Sequence, residues 1–337
     1  MIAKQKKPMY SAFLINFAAF VIVIAGLHSA KDIVVLFLLS IFIAIIATPT
    51  LFWIEKRGVP RWIAFFIVIA FLVLILTGVG LVIQSSFDHF LKNFPIYSEQ
   101  LQEKLFLAID FLEQYNIAIT RDELIKYFDP TNILGATKTI FSSLGSLVSN
   151  TFLITLIVGF ILFESHIFES KIKRITGNRD YFTPFVEKVK HYIVIKSITS
   201  LITGILIAIG LSLLGVEYAI LWGVLAFLLN FIPTIGSIIA SIPAIIFTLL
   251  QLGFIDAFWV VVIYLVVNVT IGSIIEPRFL GKELGLSTLV VFSSMLFWGW
   301  VFGPIGMFLS VPLTMMLKIA LETKKETRWI AILLGSK

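Results

Sequence analysis

Two short stretches of this sequence hold residues out of keeping with the apolar runs around them. The first, NFIPTIGSIIASIP at 230–243, contributes Asn230, Pro233, Thr234, Gly236, Ser237, Ser241 and Pro243. The second, VFGPIGMFLSVP at 301–312, contributes Gly303, Pro304, Gly306, Ser310 and Pro312. Amides and hydroxyls of this kind can hold a polar solute by hydrogen bonds. Proline removes an N–H and collides with the carbonyl one turn back, while glycine permits a tight reversal. Backbone groups freed in this way at membrane depth cost several kcal/mol each unless protein or cavity water satisfies them. The chemistry that suits such breaks is therefore solute binding at a buried or water-lined site. Asn268 extends the candidate set on a neighbouring span. Glu276 and Arg278, in the tripeptide EPR, are candidate coupling residues, because ionisable groups at membrane depth are functional candidates by default. An interfacial Glu276–Arg278 pair that only fixes a helix end is the competing structural role.

The two stretches are versions of one pattern. Pro233-Thr234-Ile235-Gly236 matches Pro304-Ile305-Gly306 with one residue dropped, and Ser241-Ile242-Pro243 matches Ser310-Val311-Pro312. Each follows an ordinary span with polar residues, Lys196, Ser197, Thr199, Ser200 and Thr203 before the first and Asn268, Thr270 and Ser273 before the second. Paired Gly/Pro-interrupted segments in corresponding positions point to a transporter's binding site. Within its span, Lys196 is expected to extend toward the cytoplasmic surface rather than to contact substrate.

Other chemistries lack their motifs. The chain has no cysteine, which removes thiol nucleophiles, Cys-based metal sites and disulfides. His28, His89, His166 and His191 show no metal-ligand spacing, so no metal site is expected. There is no G-x-x-x-x-G-K-[ST] loop for ATP coupling, no H-E-x-x-H and no G-x-S-x-G elbow. Neither an enzyme nor a cofactor is expected, and any energy would come from a proton or sodium gradient.

The elements that must position these residues follow from composition. Of 337 residues, 59% are hydrophobic and 14% charged, with mean hydropathy +1.02, which belongs to an integral membrane protein. The net charge of +6 sits beside the ends of apolar runs, the mark of membrane topology and not of nucleic-acid binding. Spans need about 20 apolar residues, and six candidates meet this at 10–27, 33–54, 62–84, 147–168, 192–214 and 255–275. The first is read as a retained span and not a cleaved signal, since GLHSAKD lacks a small-residue cleavage site. Trp53, Trp62, Trp298 and Trp300 read as interface or packing aromatics.

Lys4, Lys6 and Lys7, then Lys56, Arg57 and Arg61, the six Lys/Arg of 170–191, and Lys318, Lys324, Lys325 and Arg328 put both termini in the cytoplasm. The polar segment 85–146, with five Lys/Arg against eight Asp/Glu, then lies outside. Within it, Thr120 and Glu123 match a capping box and Asp129-Pro130 a helix start, predicting two or three helices. Phe90, Phe94, Leu101, Leu105, Leu112 and Tyr115 would form their apolar stripe, packed on itself or on a neighbouring subunit.

Two apolar stretches, 218–251 and 287–320, are each 34 residues long, too long for one straight helix and tight for two full crossings. The fold class expected is an all-α polytopic membrane protein. It has about six crossing helices plus two Pro/Gly-broken helical hairpins in an inverted repeat, and a small helical extracytoplasmic segment. Eight crossings, with one kinked helix per stretch, is the alternative. Arg278 and Lys282 in the loop 276–283 favour a cytoplasmic loop and hence hairpins. The chain divides into a three-span scaffold 1–84, the outer segment 85–146, a fourth span and linker 147–191, transport repeats 192–251 and 255–320, and a tail 321–337.

YAILWGVLAFLLNFIPTIGSIIASIP (218–243), IIEPRFLGKELGLSTLVVF (274–292) and FWGWVFGPIGMFLSVPLT (297–314) resemble the autoinducer-2 exporter family of bacterial membrane proteins. The resemblance extends over the whole chain. Residue by residue it points to Asn230, Pro233, Gly236, Pro243, Glu276, Pro277, Arg278, Gly303, Pro304, Gly306 and Pro312. It implies export of the signalling molecule autoinducer-2, or transport of another small solute, across the bacterial inner membrane. The inverted pairing of the breaks and the missing ATP motif lead to an expectation of secondary transport by alternating access. Some relatives are described as sodium/proton antiporters, which is the alternative activity. Lipid and a small-molecule substrate are the implied partners, together with assembly into a homo-oligomer such as a pentamer.

Overall fold

The structure is a computed structural model that describes residues 9–114, 150–176, 183–233, 235–280, 285–322 and 326–335. Among the described residues there is no strand. The chain folds as α1 (Met9–Ser29), α2 (Lys31–Lys56), α3 (Arg61–Gln114), α4 (Thr151–Thr176) and α5 (Thr183–Leu213). It continues with α6 (Ala219–Leu229), α7 (Gly236–Gln251) and α8 (Phe254–Asn268), a π-helical segment Val269–Ile275, and α9 (Glu276–Leu280). The last elements are α10 (Thr288–Phe302), α11 (Pro304–Phe308), α12 (Ser310–Glu322) and α13 (Arg328–Leu333). Over the described residues all six expected spans fall on helices, apart from single turn residues at the ends of two of them. Among the described residues, four helices are long and apolar enough to cross a membrane by length and composition. Large apolar side chains such as Phe66, Leu74, Phe152, Phe160, Leu213 and Ile255 stand exposed around the outside, as a lipid-facing belt requires. This is an all-α, multi-pass membrane protein.

The stretch 218–251 doubles back on itself. Its legs α6 and α7 have 11 and 16 residues, about 16 and 24 Å at 1.5 Å per residue, short of the roughly 30 Å core. Their outer ends meet: the Gln251 side chain accepts from the Glu217 N–H at 2.9 Å and donates to the Gly215 carbonyl at 3.3 Å. Phe247 on the returning leg packs on Tyr218 and Trp222 of the first, with ring centroids 5.4 and 5.7 Å apart. The stretch 287–320 does the same. The Trp298 indole donates to Thr314 Oγ1 at 3.0 Å across the legs, and Lys318 Nζ closes the base on the Gly285 carbonyl at 2.6 Å. Both stretches are hairpins, and a kinked crossing for each is ruled out by these base contacts.

The hairpins approach from opposite ends of α5. Hairpin 1 begins where α5 stops, while Leu286 and Met315 of hairpin 2 share a core with Val189, Tyr192 and Ile193 near its start. Between them α8 runs back along α5, with Ile263 against Gly210 and Glu276 beside Lys196. Backbones touch where α5 crosses α6. A Cβ on Gly223 would lie 2.6 Å from the Gly204 carbonyl oxygen and 2.7 Å from Ala208 Cβ, so small residues set this crossing.

A separate core joins α2, α3 and α4 through Ala44, Ala47, Leu51, Ala64, Val68, Ile154, Val158 and Leu162. Helix α3 departs from the expected pattern, for it runs unbroken for 54 residues through the boundary at 85. Polarity rises there while helical propensity does not fall, so the outer segment starts as a continuation of the third span. Phe90 and Phe94 do form a stripe, and it packs on hairpin 1 through Phe247 and its neighbours. Tyr115, the Thr120–Glu123 box and Asp129-Pro130 lie outside the described residues, as do the side chains of Leu101, Leu105 and Leu112.

Candidate functional site

The tips of the two hairpins meet. Phe231, two residues past the end of hairpin 1's first leg, lies 4.4 Å centroid to centroid from Phe308 of hairpin 2. Phe42 of α2 touches both, at 5.7 Å from Phe231 and 5.0 Å from Phe308, so a scaffold aromatic completes the cluster. Aromatic pairs at such separations add cohesion beyond simple area burial.

At tip 1, Asn230 is buried and its Nδ2 donates to Ser200 Oγ of α5 at 3.0 Å. This amide therefore ties the first break to the polar face of α5. Pro233 and Ser237 are half-buried in and after the turn, and Thr234 lies outside the described residues. Gly236 starts α7 pressed on the Leu229 carbonyl, where a Cβ has no room. Ser241 donates to the Ile238 carbonyl at 2.8 Å within its own leg, and Pro243, half-buried, interrupts the ladder further on.

Tip 2 repeats the device. Gly303 closes α10 at φ +71°, a conformation that L side chains rarely adopt, and Pro304 opens α11 at its first position. Gly306 is pressed on the Trp298 carbonyl as Gly236 is on Leu229. Ser310 is wholly buried at 0% exposure, and its hydroxyl has no hydrogen-bond partner among the described residues. Pro312 is buried two residues on.

Helix α5 presents Lys196, Thr199, Ser200 and Thr203 on one buried face, the i, i+3, i+4, i+7 spacing of a helical stripe. Thr203, like Ser310, keeps a buried hydroxyl without a partner among the described residues. The Lys196 ammonium stands 2.8 Å from each carboxylate oxygen of Glu276, with the two side chains 7% and 14% exposed. Two expectations are corrected here. Lys196 does not extend to the surface, and Glu276 does not turn to Arg278, which is exposed.

The reason lies in the π-helical segment. Pro277 brings no N–H to the carbonyls of the preceding turn, and the helix widens just before it, with the Glu276 N–H bonded to Ile271 five residues back. Asn268, half-buried, marks where the widening starts. The changed winding turns Glu276 toward α5. Sequence reasoning reached Glu276 and the polar residues of α5 separately. Their helical stripe was a signal for the shared face, whereas nothing in the sequence singled out Phe42, Phe231 or Phe308 among 32 phenylalanines.

Among the described residues no group of His, Asp and Glu is arranged to hold a metal ion. A groove of about 620 Å³ between α3 and α4, lined by Phe65, Ile69, Phe152, Leu156, Phe160 and Phe163, is apolar and touches none of the residues above.

Comparison with known proteins agrees with this architecture. Residues 17–326 match the model of the AI-2E family transporter. The chain is 41% identical over 335 residues to a putative transport protein of Haemophilus influenzae, covering 96% of this chain and 95% of that one. It is 37% identical over 326 residues to the putative transport protein YhhT of Escherichia coli K12, covering 96% and 93%. It is also 37% identical over 319 residues to the AI-2 transport protein TqsA of the same strain, covering 94% and 93%. With paired hairpins, a polar α5 and a match across nearly its whole length, the chain belongs to the AI-2E transporter family.

Proposed function

We propose that this protein is a secondary transporter that exports a small polar organic solute by alternating access. The observation that carries the reading is the tip-to-tip meeting of two broken hairpins beside a buried polar face of α5. Freed backbone groups and half-helix ends at membrane depth belong where a solute is bound. Asn230, Thr203 and Ser310 supply amide and hydroxyl groups, and Glu276 supplies the group through which a proton or sodium gradient drives the cycle. TqsA, by its name, transports AI-2, and autoinducer-2 suits a site of hydroxyls and amides with few charges. Neither catalysis nor a cofactor belongs to this reading.

The units 192–251 and 255–320 act as an inverted repeat that moves against a scaffold of 1–84 and 147–168. The protein works in the bacterial inner membrane, surrounded by lipid, with both termini cytoplasmic, as a homo-oligomer. The test is flux of autoinducer-2 into proteoliposomes of purified protein under imposed proton and sodium gradients. Uptake accelerated by a gradient supports the reading, and absence of flux under every gradient ends it. Sodium/proton antiport is the second reading, favoured by the carboxylate of Glu276, and in it sodium and protons exchange without any organic solute.

A further inference from the structure

A carboxylate buried between transmembrane helices needs a positive partner, and in many sites a mobile cation supplies it. Here the partner is covalently attached to the chain. Lys196 Nζ lies 2.8 Å from both oxygens of Glu276, a symmetric placement that leaves neither oxygen without the cation. The surroundings are those of a small-cation site. Glu276 follows seven residues of π-helix, and Pro277, which has no N–H, takes one backbone donor away from the carbonyls of the turn before it. One turn beyond Lys196 on α5 is Ser200, whose hydroxyl receives Asn230 from tip 1. Among the described residues the other ionisable groups nearby are Tyr192, buried one turn before Lys196, and Arg278, exposed on α9. Neither replaces the ammonium at the carboxylate.

We infer that Lys196 fills, from within the chain, a monovalent-cation site built around Glu276. The tethered ammonium takes the place that a sodium ion would otherwise occupy, so this chain needs no sodium to neutralise its coupling carboxylate. The inference rests on the reading of Glu276 as the coupling group. It predicts that shortening the cation away, and not the carboxylate, uncovers sodium binding. Oxygen-rich sites with a carboxylate and unwound-helix carbonyls are the kind that hold sodium in transporters.

The test measures binding of radioactive sodium to purified full-length protein in detergent. Lys196→Met is expected to gain one sodium site per chain, wild type and Lys196→Arg none, and Lys196→Met/Glu276→Gln none. Sodium binding by the wild type, lost in Glu276→Gln, would overturn the inference, because the ammonium would then not occupy the site. A monodisperse Lys196→Met protein without sodium binding overturns it as well. Should Lys196→Met aggregate, its melting temperature in sodium against choline chloride decides the matter, with a sodium-specific rise supporting the inference and equal values overturning it. The assay measures ion binding alone, so absence of autoinducer-2 flux would end the transport reading and leave this result to stand by itself.

Discussion

The ammonium of Lys196 and the carboxylate of Glu276, 80 positions apart in the chain, meet at 2.8 Å and lock α5 to the end of the π-kinked helix. Their meeting brings a charged side chain of α5 and one of α9 to a single point. Next to the pair on α5, the buried polar residues are Thr199, Ser200 and Thr203, which carry only hydroxyls. On the proposed reading, a solute there would meet hydrogen-bonding groups and a neutralised ion pair, which suits a polar, uncharged molecule.

Removing one member of this pair strands the other. Breaking a buried pair costs about 3–5 kcal/mol, whereas replacing both members by uncharged groups is far milder. Glu276→Gln is expected to lower the melting temperature in detergent sharply, and Lys196→Met/Glu276→Gln to recover most of the loss. Equal destabilisation in all variants would contradict this.

Ser310 carries a different signature. Its hydroxyl is buried without a partner among the described residues, so Ser310→Ala removes no hydrogen bond seen in the fold. Stability should be unchanged or rise, by no more than the cost of a buried unpaired hydroxyl, about 1–3 kcal/mol. If the hydroxyl is kept for the solute, losing one hydrogen bond of about 0.5–1.5 kcal/mol raises KM roughly two- to tenfold. Flux measured against solute concentration separates these effects.

Phe231 and Phe308 offer a mechanical test. Their rings are 4.4 Å apart, and the chain has no natural cysteine. Phe231→Cys/Phe308→Cys should be bridged by a short bis-thiol reagent, halting flux. Cysteine replacement without the reagent provides the baseline. Undiminished flux after complete bridging would show that the tips need not separate.

At the α5–α6 crossing, Gly223→Ala places a methyl group 2.6 Å from the Gly204 carbonyl oxygen. Overpacking of this kind costs about 1–3 kcal/mol. Gly78→Ala is the control, since a Cβ there meets nothing within 4 Å and the residue lies inside helix α3. Alanine in a helix interior is favoured over glycine by roughly 0.5–1 kcal/mol. Thermal unfolding of the two variants should move in opposite directions.

Much of this was legible in the order of residues because the membrane imposes simple rules. Apolar runs located the six spans, and Pro/Gly pairs located both hairpin tips, since backbone breaks at membrane depth require special residues. The continuation of α3 past residue 85 was not legible, because a change from apolar to polar side chains marks where a membrane ends, not where a helix does. The partner of Glu276 was hidden for a different reason. Arg278 is two positions away and Lys196 is 80, and only the winding of Val269–Ile275 decides which one the carboxylate faces. Spacing along a regular helix cannot reveal a turn that is not regular.

Helix α3 has one more consequence. Its early turns belong to the core with α2 and α4, through Ala64 and Val68. Its later turns, Phe90 and Tyr97, rest on Phe247 of hairpin 1, and the Tyr97 hydroxyl donates to Glu217 Oε2 at 2.7 Å. One rod of 54 residues, about 80 Å long, thus has its foot in one body and its upper half on the other. Such a rod ties the two together: hairpin 1 cannot shift without either carrying α3 along or giving up its contacts with Phe90 and Tyr97.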